Sequence, residues 1–162
     1  MCIRDRGYPD GDLRVTQDLR RDISRVIRQV RPHRMLIQSP DRNWARLPAS
    51  HPDHLAAGEA AINAIYPDAR NPFAHASLLR EEGLEDWTVG EVWVMGHPSP
   101  DHYVDVTDRF GAKIAALRAH KSQTAHMADL EGMLRGWMSA NSVRAGLPDG
   151  RLAEAFMAVT IP

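Results

Sequence analysis

The sequence has little cysteine, little excess charge and no long hydrophobic run, and each shortage excludes a class of protein. Cys2 is the only cysteine among 162 residues, which excludes an intramolecular disulfide and a zinc site built on cysteine. The net charge of −1 gives no electrostatic reason to expect nucleic acid or a membrane surface as a partner. No apolar run approaches the roughly 20 residues that a transmembrane helix needs. We therefore expect a cytoplasmic protein.

The composition that remains is typical of a globular domain. The chain is 43% hydrophobic and 25% charged, and its length is sufficient for one domain with a sizeable core. Eight histidines stand against one cysteine. Any metal site is therefore expected to use histidine and carboxylate ligands, which accept zinc and also iron(II).

The first six residues differ in character from the rest. Met1-Cys2-Ile3-Arg4-Asp5 resembles the translation of a transposon-end adapter used to build sequencing libraries. We expect residues 1–6 to be an artefact of this kind, as opposed to a genuine N-terminal arm, and exclude them from fold reasoning. On this interpretation residues 7–162 are the C-terminal part of a single domain whose gene was cut at its 5′ end.

Apolar periodicity predicts alternating helices and strands. An apolar face recurs at helical spacing after Thr16, a favoured N-cap, and comprises Leu19, Ile23, Val26, Ile27 and Val30; the helix should end before Pro32. The short apolar run 35–37 predicts a buried strand. The order strand, loop, helix is the half-unit of a parallel α/β sheet. Further along the chain the pattern predicts a helix at about 52–65 in which Gly58 permits close packing, a strand at 92–95, an edge strand at 103–106, a helix that Thr107 or Asp108 caps, a helix at about 127–138 and a strand at 155–161.

The segment His51-Pro52-Asp53-His54 opens the helix that follows the first strand. Imidazoles at i and i+3 of a first helical turn lie on one face, where they can supply a metal ligand and a neighbouring acid or base. Alternatively, Ser50 and Asp53 form a capping box and the histidines lie on the surface. Since a catalytic zinc takes three protein ligands and water, two histidines alone do not decide between these interpretations.

The ordered set of motifs resembles the PIG-L/LmbE family of zinc-dependent N-acetylglucosaminyl deacetylases, most closely its actinobacterial members. These include the mycothiol-pathway deacetylase and amidase. The likeness extends from Gly7 to the end of the chain. It rests on Gly7-Tyr8-Pro9-Asp10-Gly11, Arg31-Pro32, the segment His51 to Gly58, Val104-Asp105-Val106-Thr107, the spaced residues Lys113, Ala116, Leu117, His120, Ser122 and Gln123, and Ala153-Glu154-Ala155-Phe156.

The resemblance implies a role for four residues. His54 matches the histidine that ligates zinc. His51 matches the histidine near the substrate carbonyl, which stabilises the developing oxyanion and protonates the leaving amine. Asp53 matches the acid that tunes this histidine, and Asp10 matches an acid that contacts a sugar hydroxyl. The chemistry is coherent, since zinc lowers the pKa of its water to about 7 and a neighbouring acid favours a protonated imidazole.

The resemblance also implies a fold, a substrate class and a missing part. The expected fold is α/β, Rossmann-like and three-layered, with a mostly parallel sheet. The expected activity is zinc-dependent removal of an acetyl or acyl group from an N-acylated amino sugar, a small-molecule conjugate. The family's first motif, Ala-His-Pro-Asp-Asp-Glu, supplies two zinc ligands and the general base, and it is not in this sequence. We therefore expect the first strand and this motif loop to be missing and the chain alone to be inactive.

Two rival functions remain to be weighed. A nucleotide-binding Rossmann module would need a glycine-rich phosphate loop after a strand, and none is present. A metal-free carbohydrate-binding or interaction module on the same fold stays open, because fold alone does not fix function. The oligomeric state is also open.

Weaker candidates lie elsewhere in the chain. The segment 97–102, His-Pro-Ser-Pro-Asp-His, superficially resembles the missing motif, although an ordinary polar loop is the preferred interpretation and His102 could reach the substrate cleft. His120 either lines the site or hydrogen-bonds within the core. We expect Glu154 to be structural. Arg42, Asn43 and Trp44 either contact substrate or anchor their loop.

Overall fold

The computed structural model describes residues 7–162, which form two compact units. The first unit comprises the described residues up to Pro100 together with Met157–Pro162, and the second comprises Asp101–Phe156. The interpretation of residues 1–6 as adapter sequence lies outside the described residues. The assignment of residues 7–162 to one deacetylase-like domain stays a prediction.

The first unit alternates helices and strands, as the periodicity predicts. A short 3-10 turn, Trp44–Ala49, lies between its first strand and its second helix. In chain order the unit contains α1 (Gln17–Val30), β1 (Arg34–Gln38), α2 (Pro52–Asn63), α3 (Ala76–Arg80) and β2 (Glu91–Met95).

Helix α1 confirms the predicted start and end, and the predicted apolar face except for Val30, which is 66% exposed. The Leu19 N–H donates to Thr16 Oγ1 at 3.1 Å, so Thr16 is the N-cap. Leu19 and Ile27 are buried. The helix ends where Arg31 adopts a left-handed φ of 53°, one residue before Pro32. Burial of the apolar face adds to the helix propensity and holds α1 in place.

Strands β1 and β2 pair in parallel and form the centre of the first unit. Met35 lies opposite Val92 and Ile37 opposite Val94, and Ile37, Val92 and Val94 belong to one buried core with Ile27 of α1. Because the strands are parallel, both carboxyl ends lie at the same edge of the sheet. The loops that follow β1 and β2 therefore leave from this edge, where ligands bind in open α/β sheets.

Helix α2 approaches the carboxyl end of β1 closely because residue 58 is glycine. A Cβ added to Gly58 would lie 2.4 Å from the Gln38 carbonyl oxygen and 2.8 Å from the Pro40 backbone nitrogen. No side chain fits in that space, so glycine is required for this contact. The predicted role of Gly58 in close packing is confirmed, and it seats α2 against the end of β1.

The second unit contains mostly helices, and its core lies between α4, α6 and the start of β4. Its elements are β3 (His102–Asp105), α4 (Phe110–Ala119), α5 (Lys121–Thr124), α6 (Leu130–Arg144) and the first part of β4 (Ala153–Thr160). The buried core residues are Phe110, Ile114, Leu130, Leu134, Met138 and Leu152.

The sheet confirms the α/β class but only part of the predicted strand arrangement. The four strands are hydrogen-bonded in the order β1-β2-β4-β3, so β3 is an edge strand as predicted. The β1–β2 pair is parallel, whereas β3 and β4 are antiparallel, with His102 opposite Phe156. This second pair therefore does not fit the expected mostly parallel sheet. An apolar run predicts a strand but not its direction, which the path of the connecting chain decides.

The predicted cap of the helix after β3 is wrong. Helix α4 follows a 3-10 turn, Thr107–Arg109, and has no side-chain cap. The Thr107 hydroxyl instead donates to Asp105 Oδ1 at 2.6 Å and accepts the Leu152 N–H at 2.9 Å. The end of β3 and the start of β4 thus engage the hydroxyl that the sequence pattern assigns to the helix.

Candidate active site

The first turn of α2 carries the two histidines that the sequence pattern singles out. His51 is the N-cap of α2, and its Nδ1 accepts the Asp53 N–H at 3.2 Å. The predicted capping box is therefore wrong, because His51 itself, and not Ser50, caps the helix. Nδ1 accepts this bond when the ring carries its proton on Nε2, which is the nitrogen not engaged by the helix.

His51 and His54 lie on one face of α2. Their ring centroids are 5.4 Å apart, with the ring planes inclined by 52°. Both residues are exposed. Within residues 7–162 neither nitrogen of His54 has a hydrogen-bond partner, so its imidazole is open to a ligand. The pair thus places one hydrogen-bond donor and one candidate metal ligand side by side.

Asp53 connects this helical turn to the glycine-rich segment near the start of the described chain. Its Oδ2 accepts the Gly11 N–H at 2.6 Å and its Oδ1 accepts the Leu13 N–H at 3.2 Å. The hydrogen bond from Gly11 lowers the pKa of Asp53, helped by the bond from Leu13 and by the nearby imidazoles of His51 and His54, against a smaller opposing effect of desolvation. Asp53 therefore carries a negative charge beside both histidines.

Asp10 lies on the turn that Asp53 holds. Asp10 is exposed and directly precedes Gly11, whose φ of +85° favours glycine. The other end of this segment is also held, because the Tyr8 hydroxyl donates to Asp22 Oδ2 at 3.1 Å. The contact with Asp53 brings the turn of Asp10 to the first turn of α2, although the two are more than 40 residues apart in sequence.

The loop between β1 and α2 is closed at its ends. The Asn43 N–H donates to the buried Ser50 Oγ at 2.8 Å, and Asn43 Oδ1 accepts the Arg46 N–H at 3.0 Å. Asn43 is therefore a loop anchor, one of the two alternatives that the sequence leaves open. Trp44 does not anchor the loop by burying its ring, since 81% of the residue is exposed. The Arg42 guanidinium lies 5.5 Å from the centroid of this ring.

The sequence pattern does not predict the pairing of His97 with Asp41. His97 follows β2 and Asp41 follows β1, and His97 Nε2 lies 3.0 Å from Asp41 Oδ2. His97 Nδ1 lies 3.1 Å from both the backbone nitrogen and the carbonyl oxygen of Ser99, and Nε2, facing a carboxylate that can only accept, donates to Asp41. The pair joins the two loops that leave the carboxyl edge of the sheet. The signal that could have indicated this contact is the parallel pairing of β1 and β2, which brings the loops after both strands to the same edge.

The remaining candidates lie in the second unit. Glu154 accepts a hydrogen bond from Lys113 Nζ, which agrees with the expected structural role. His102 lies on β3, opposite Phe156. The His120 N–H donates to the Leu117 carbonyl at 3.0 Å, so its backbone takes part in ending α4. No role in chemistry is assigned to these three residues.

The described residues do not by themselves fit a complete zinc site. Residues 7–162 contain no group of three His, Cys, Asp or Glu side chains arranged to hold a metal ion. A catalytic zinc needs three protein ligands. His54 is thus at most one ligand of such a site, and no chemical step through a metal follows from these residues.

Known proteins resemble this chain in sequence. The diacetylchitobiose deacetylase of Thermococcus kodakarensis is 32% identical over 117 residues, which cover 72% of this chain and 41% of that protein. The 1D-myo-inositol 2-acetamido-2-deoxy-alpha-D-glucopyranoside deacetylase of Rhodococcus erythropolis is 29% identical over 123 residues, which cover 60% of this chain and 40% of that protein. The chain is therefore similar in sequence to deacetylases of the PIG-L/LmbE type. No family model matches it.

The chain also shares its fold with a solved structure. The N,N'-diacetylchitobiose deacetylase from Pyrococcus horikoshii matches with a TM-score of 0.81 at 24% identity, over 94% of this chain and 55% of that one. The chain spans about two fifths of the length of the curated relatives described above. Among the described residues, no helix is both long and apolar enough to cross a membrane.

Proposed function

We propose that this chain is part of a metal-dependent hydrolase that removes an acetyl or acyl group from an N-acylated amino sugar. The observation that carries the proposal is the first turn of α2, where His51 and His54 lie 5.4 Å apart beside the ionised Asp53. The relatives in sequence, which are named deacetylases of N-acetylglucosamine-containing compounds, support the same substrate class. The substrate would be a small conjugate of N-acetylglucosamine.

Each of the four residues has a proposed role. His54 is a ligand of zinc, or of iron(II), since imidazole suits both metals. His51, protonated on both ring nitrogens, donates a hydrogen bond to the oxyanion that develops on the amide carbonyl and then transfers a proton to the departing amine, which leaves the imidazole neutral. Asp53 holds the adjacent turn and stabilises positive charge on His51 once both ring nitrogens are protonated. Asp10, on that turn, accepts a hydrogen bond from a sugar hydroxyl.

The proposal requires groups beyond those described. When bound, the metal would polarise the amide carbonyl and supply an activated water. It needs two more ligands, and the reaction needs a general base; we propose that these come from the part of the relatives' length that this chain does not span. In the same way we propose that the complete sheet is Rossmann-like, three-layered and mostly parallel, with β1 and β2 as members of its parallel part.

The test has two arms. The chain of 162 residues alone should bind zinc weakly and release no acetate from N,N'-diacetylchitobiose, because too few ligands are present. The same chain, joined to the part of the Thermococcus kodakarensis deacetylase that precedes the matched region, should release acetate. His54→Ala and His51→Ala should each abolish most of that activity, whereas the exposed His126→Ala should leave it unchanged.

The outcomes separate the hydrolase from its alternative. Acetate release that survives His54→Ala would contradict the metal-ligand role. Binding of the sugar without acetate release in the joined protein would support a metal-free carbohydrate-binding module on this fold. Tight one-to-one zinc with turnover in the 162-residue chain would contradict the requirement for further ligands.

A further inference from the structure

Trp44 is an unusually exposed indole beside the candidate site. It lies in the first position of the 3-10 turn between β1 and α2, and 81% of it is exposed. A tryptophan in a loop usually stabilises the loop by burying its ring, since burial of a large aromatic side chain is strongly favourable. Core packing therefore does not explain this residue, and the ring face that Arg42 does not cover remains open to a ligand.

The loop geometry keeps Trp44 near His51. The hydrogen bond from the Asn43 N–H to Ser50 Oγ, at 2.8 Å, closes the loop at its base. Trp44 follows one end of this closure and His51 follows the other. With about 3.8 Å between consecutive Cα atoms, the Cα atoms of Trp44 and His51 lie within roughly 14 Å of each other. Both side chains can therefore contact one ligand of two rings.

The loop that carries Trp44 is held in place at several points. Asn43 Oδ1 accepts the Arg46 N–H at 3.0 Å, and Ser50 is buried. Upstream of Trp44, Asp41 is bound by His97 Nε2 at 3.0 Å. A held loop lowers the entropic cost of ligand binding, because the contact surface is already ordered.

The chemistry of the pair Arg42 and Trp44 fits the second ring of a sugar conjugate. The Arg42 guanidinium lies over the indole ring, 5.5 Å from the ring centroid, and offers hydrogen-bond donors beside it. The C–H groups of a pyranose or cyclitol ring pack on an aromatic face, and its hydroxyls accept hydrogen bonds from a guanidinium. A monosaccharide bound at His51 would not extend to this surface.

We propose that Trp44, assisted by Arg42, forms a subsite for the ring attached to the N-acylated sugar, and so selects conjugates of two rings over single sugars. This inference rests on the proposed function, because it takes His51 to mark where the N-acyl group lies. It goes further in assigning a specificity-determining residue. Trp44 takes no part in the chemical step.

Binding measurements on the chain test the subsite without requiring activity. Ligand-observed NMR titration should give N,N'-diacetylchitobiose a higher affinity than N-acetylglucosamine. Trp44→Ala should weaken disaccharide binding about fivefold, given about 1 kcal/mol for an aromatic contact, and leave the monosaccharide within twofold. Trp44→Phe should keep most of the preference, and Phe73→Ala, which removes another exposed aromatic (85% exposed), should change neither affinity.

A fluorescence titration gives a second readout. Tryptophan emission should shift to shorter wavelength when the disaccharide covers Trp44, and this shift should be absent in Trp44→Phe, which retains the other three tryptophans. Thermal unfolding of Trp44→Ala should match the unchanged chain, since the ring is not part of the core.

The results also separate this inference from the proposed function. Equal affinities for the two sugars, or a disaccharide preference that Trp44→Ala leaves intact, would overturn the subsite. Acetate release from the joined protein together with either result would keep the hydrolase and reject the subsite. A Trp44-dependent preference without acetate release would reject the hydrolase and keep the subsite.

Discussion

Asp53 and Asp68 are two carboxylates of the first unit whose pKa values are both lowered, but for different reasons. Asp53 is at the candidate site and is held by the backbone N–H groups of Gly11 and Leu13. Asp68 is buried, which raises its pKa, but hydrogen bonds from Arg20 and His75 outweigh the burial. Asp68 has all its partners within the protein.

The surroundings of Asp68 serve the fold. Arg20 binds both of its carboxylate oxygens, at 2.7 and 2.8 Å, and the buried Arg28 donates to the backbone carbonyls of the same segment, including those of Asp68 and Asn71. Around Asp53, in contrast, two imidazoles are exposed. A lowered pKa therefore does not identify a functional site by itself. The candidate site differs from the structural carboxylate in having exposed imidazoles beside it that can bind a ligand.

The largest expected effect comes from breaking the buried pair. Asp68→Asn should lower the free energy of unfolding by about 3 kcal/mol, because it leaves the Arg20 charge without its partner. Denaturant unfolding at pH 7 measures the change. Asp18→Asn is the matched control, since its ion pair with Arg21 is exposed and should contribute less than about 1 kcal/mol. Equal effects of the two variants would remove the distinction between buried and exposed carboxylates.

A smaller effect is expected where α2 meets β1. Gly58→Ala should destabilise the fold by about 2 kcal/mol, because the new Cβ would collide with the backbone of Gln38 and Pro40. Gly136→Ala, at a mid-helix position with no atom within 4 Å of the added Cβ, should instead stabilise the fold by about 1 kcal/mol. Thermal unfolding of both variants checks the sign. Stabilisation by Gly58→Ala would contradict the close approach that seats the candidate site.

The loop link between β1 and β2 should contribute less to stability. Asp41→Ala removes the hydrogen bond with His97 at the Asp41 side chain, which is 63% exposed, so the free energy of unfolding should fall by less than about 1 kcal/mol. The disaccharide affinity should nonetheless fall, because the loop of Trp44 loses one attachment. Unfolding and sugar titration on the same variant compare the two. A large loss of stability with unchanged affinity would place Asp41 with the scaffold around Asp68.

Asp53 should have the smallest effect on global stability and a local effect on its turn. In Asp53→Asn the amides of Gly11 and Leu13 lose a charged acceptor, so their protection from hydrogen exchange should fall. Asp12→Asn, a nearby exposed control, should leave that protection unchanged. Global unfolding that changes as much as in Asp68→Asn would assign Asp53 to the scaffold.

The sign of the pH dependence follows from the lowered pKa of Asp53. The contribution of the ionised carboxylate is present above its ordinary pKa of 3.8 and is lost as the pH falls through its lower value in the folded state. Amide protection at Gly11 and Leu13, corrected for intrinsic exchange, should therefore decrease below about pH 4 in the unchanged chain. The same decrease should be absent in Asp53→Asn.

Local sequence signals predicted most of the elements but not all of their ends. Thr16 and Pro32 correctly predicted the two ends of α1. An N-cap hydroxyl and a proline each act on the backbone within one helical turn, so their effect is visible in the local sequence. The cap at Thr107 was wrong because its hydroxyl binds groups at the ends of β3 and β4. A local pattern contains no information about such a distant competitor.

The candidate site was predicted only in part for the same reason. The spacing of His51 and His54 on a helix was sufficient to place both on one face. The hydrogen bonds from Gly11 to Asp53 and from His97 to Asp41 join segments far apart in sequence, and no spacing rule predicts them. The roles of His51, Asp53, His54 and Asp10 remain proposals.

The sequence by itself determined the α/β class, the helical pair of histidines and the relation to sugar deacetylases, because side-chain periodicity and ordered motifs are local properties. Only the tertiary structure decided that His51 caps α2, that Asp53 holds the turn of Asp10, and that Trp44 is exposed beside them. These features depend on which backbone groups reach each side chain after folding. A hydrogen bond requires its donor and acceptor atoms to lie about 3 Å apart, and sequence spacing does not specify positions to that precision.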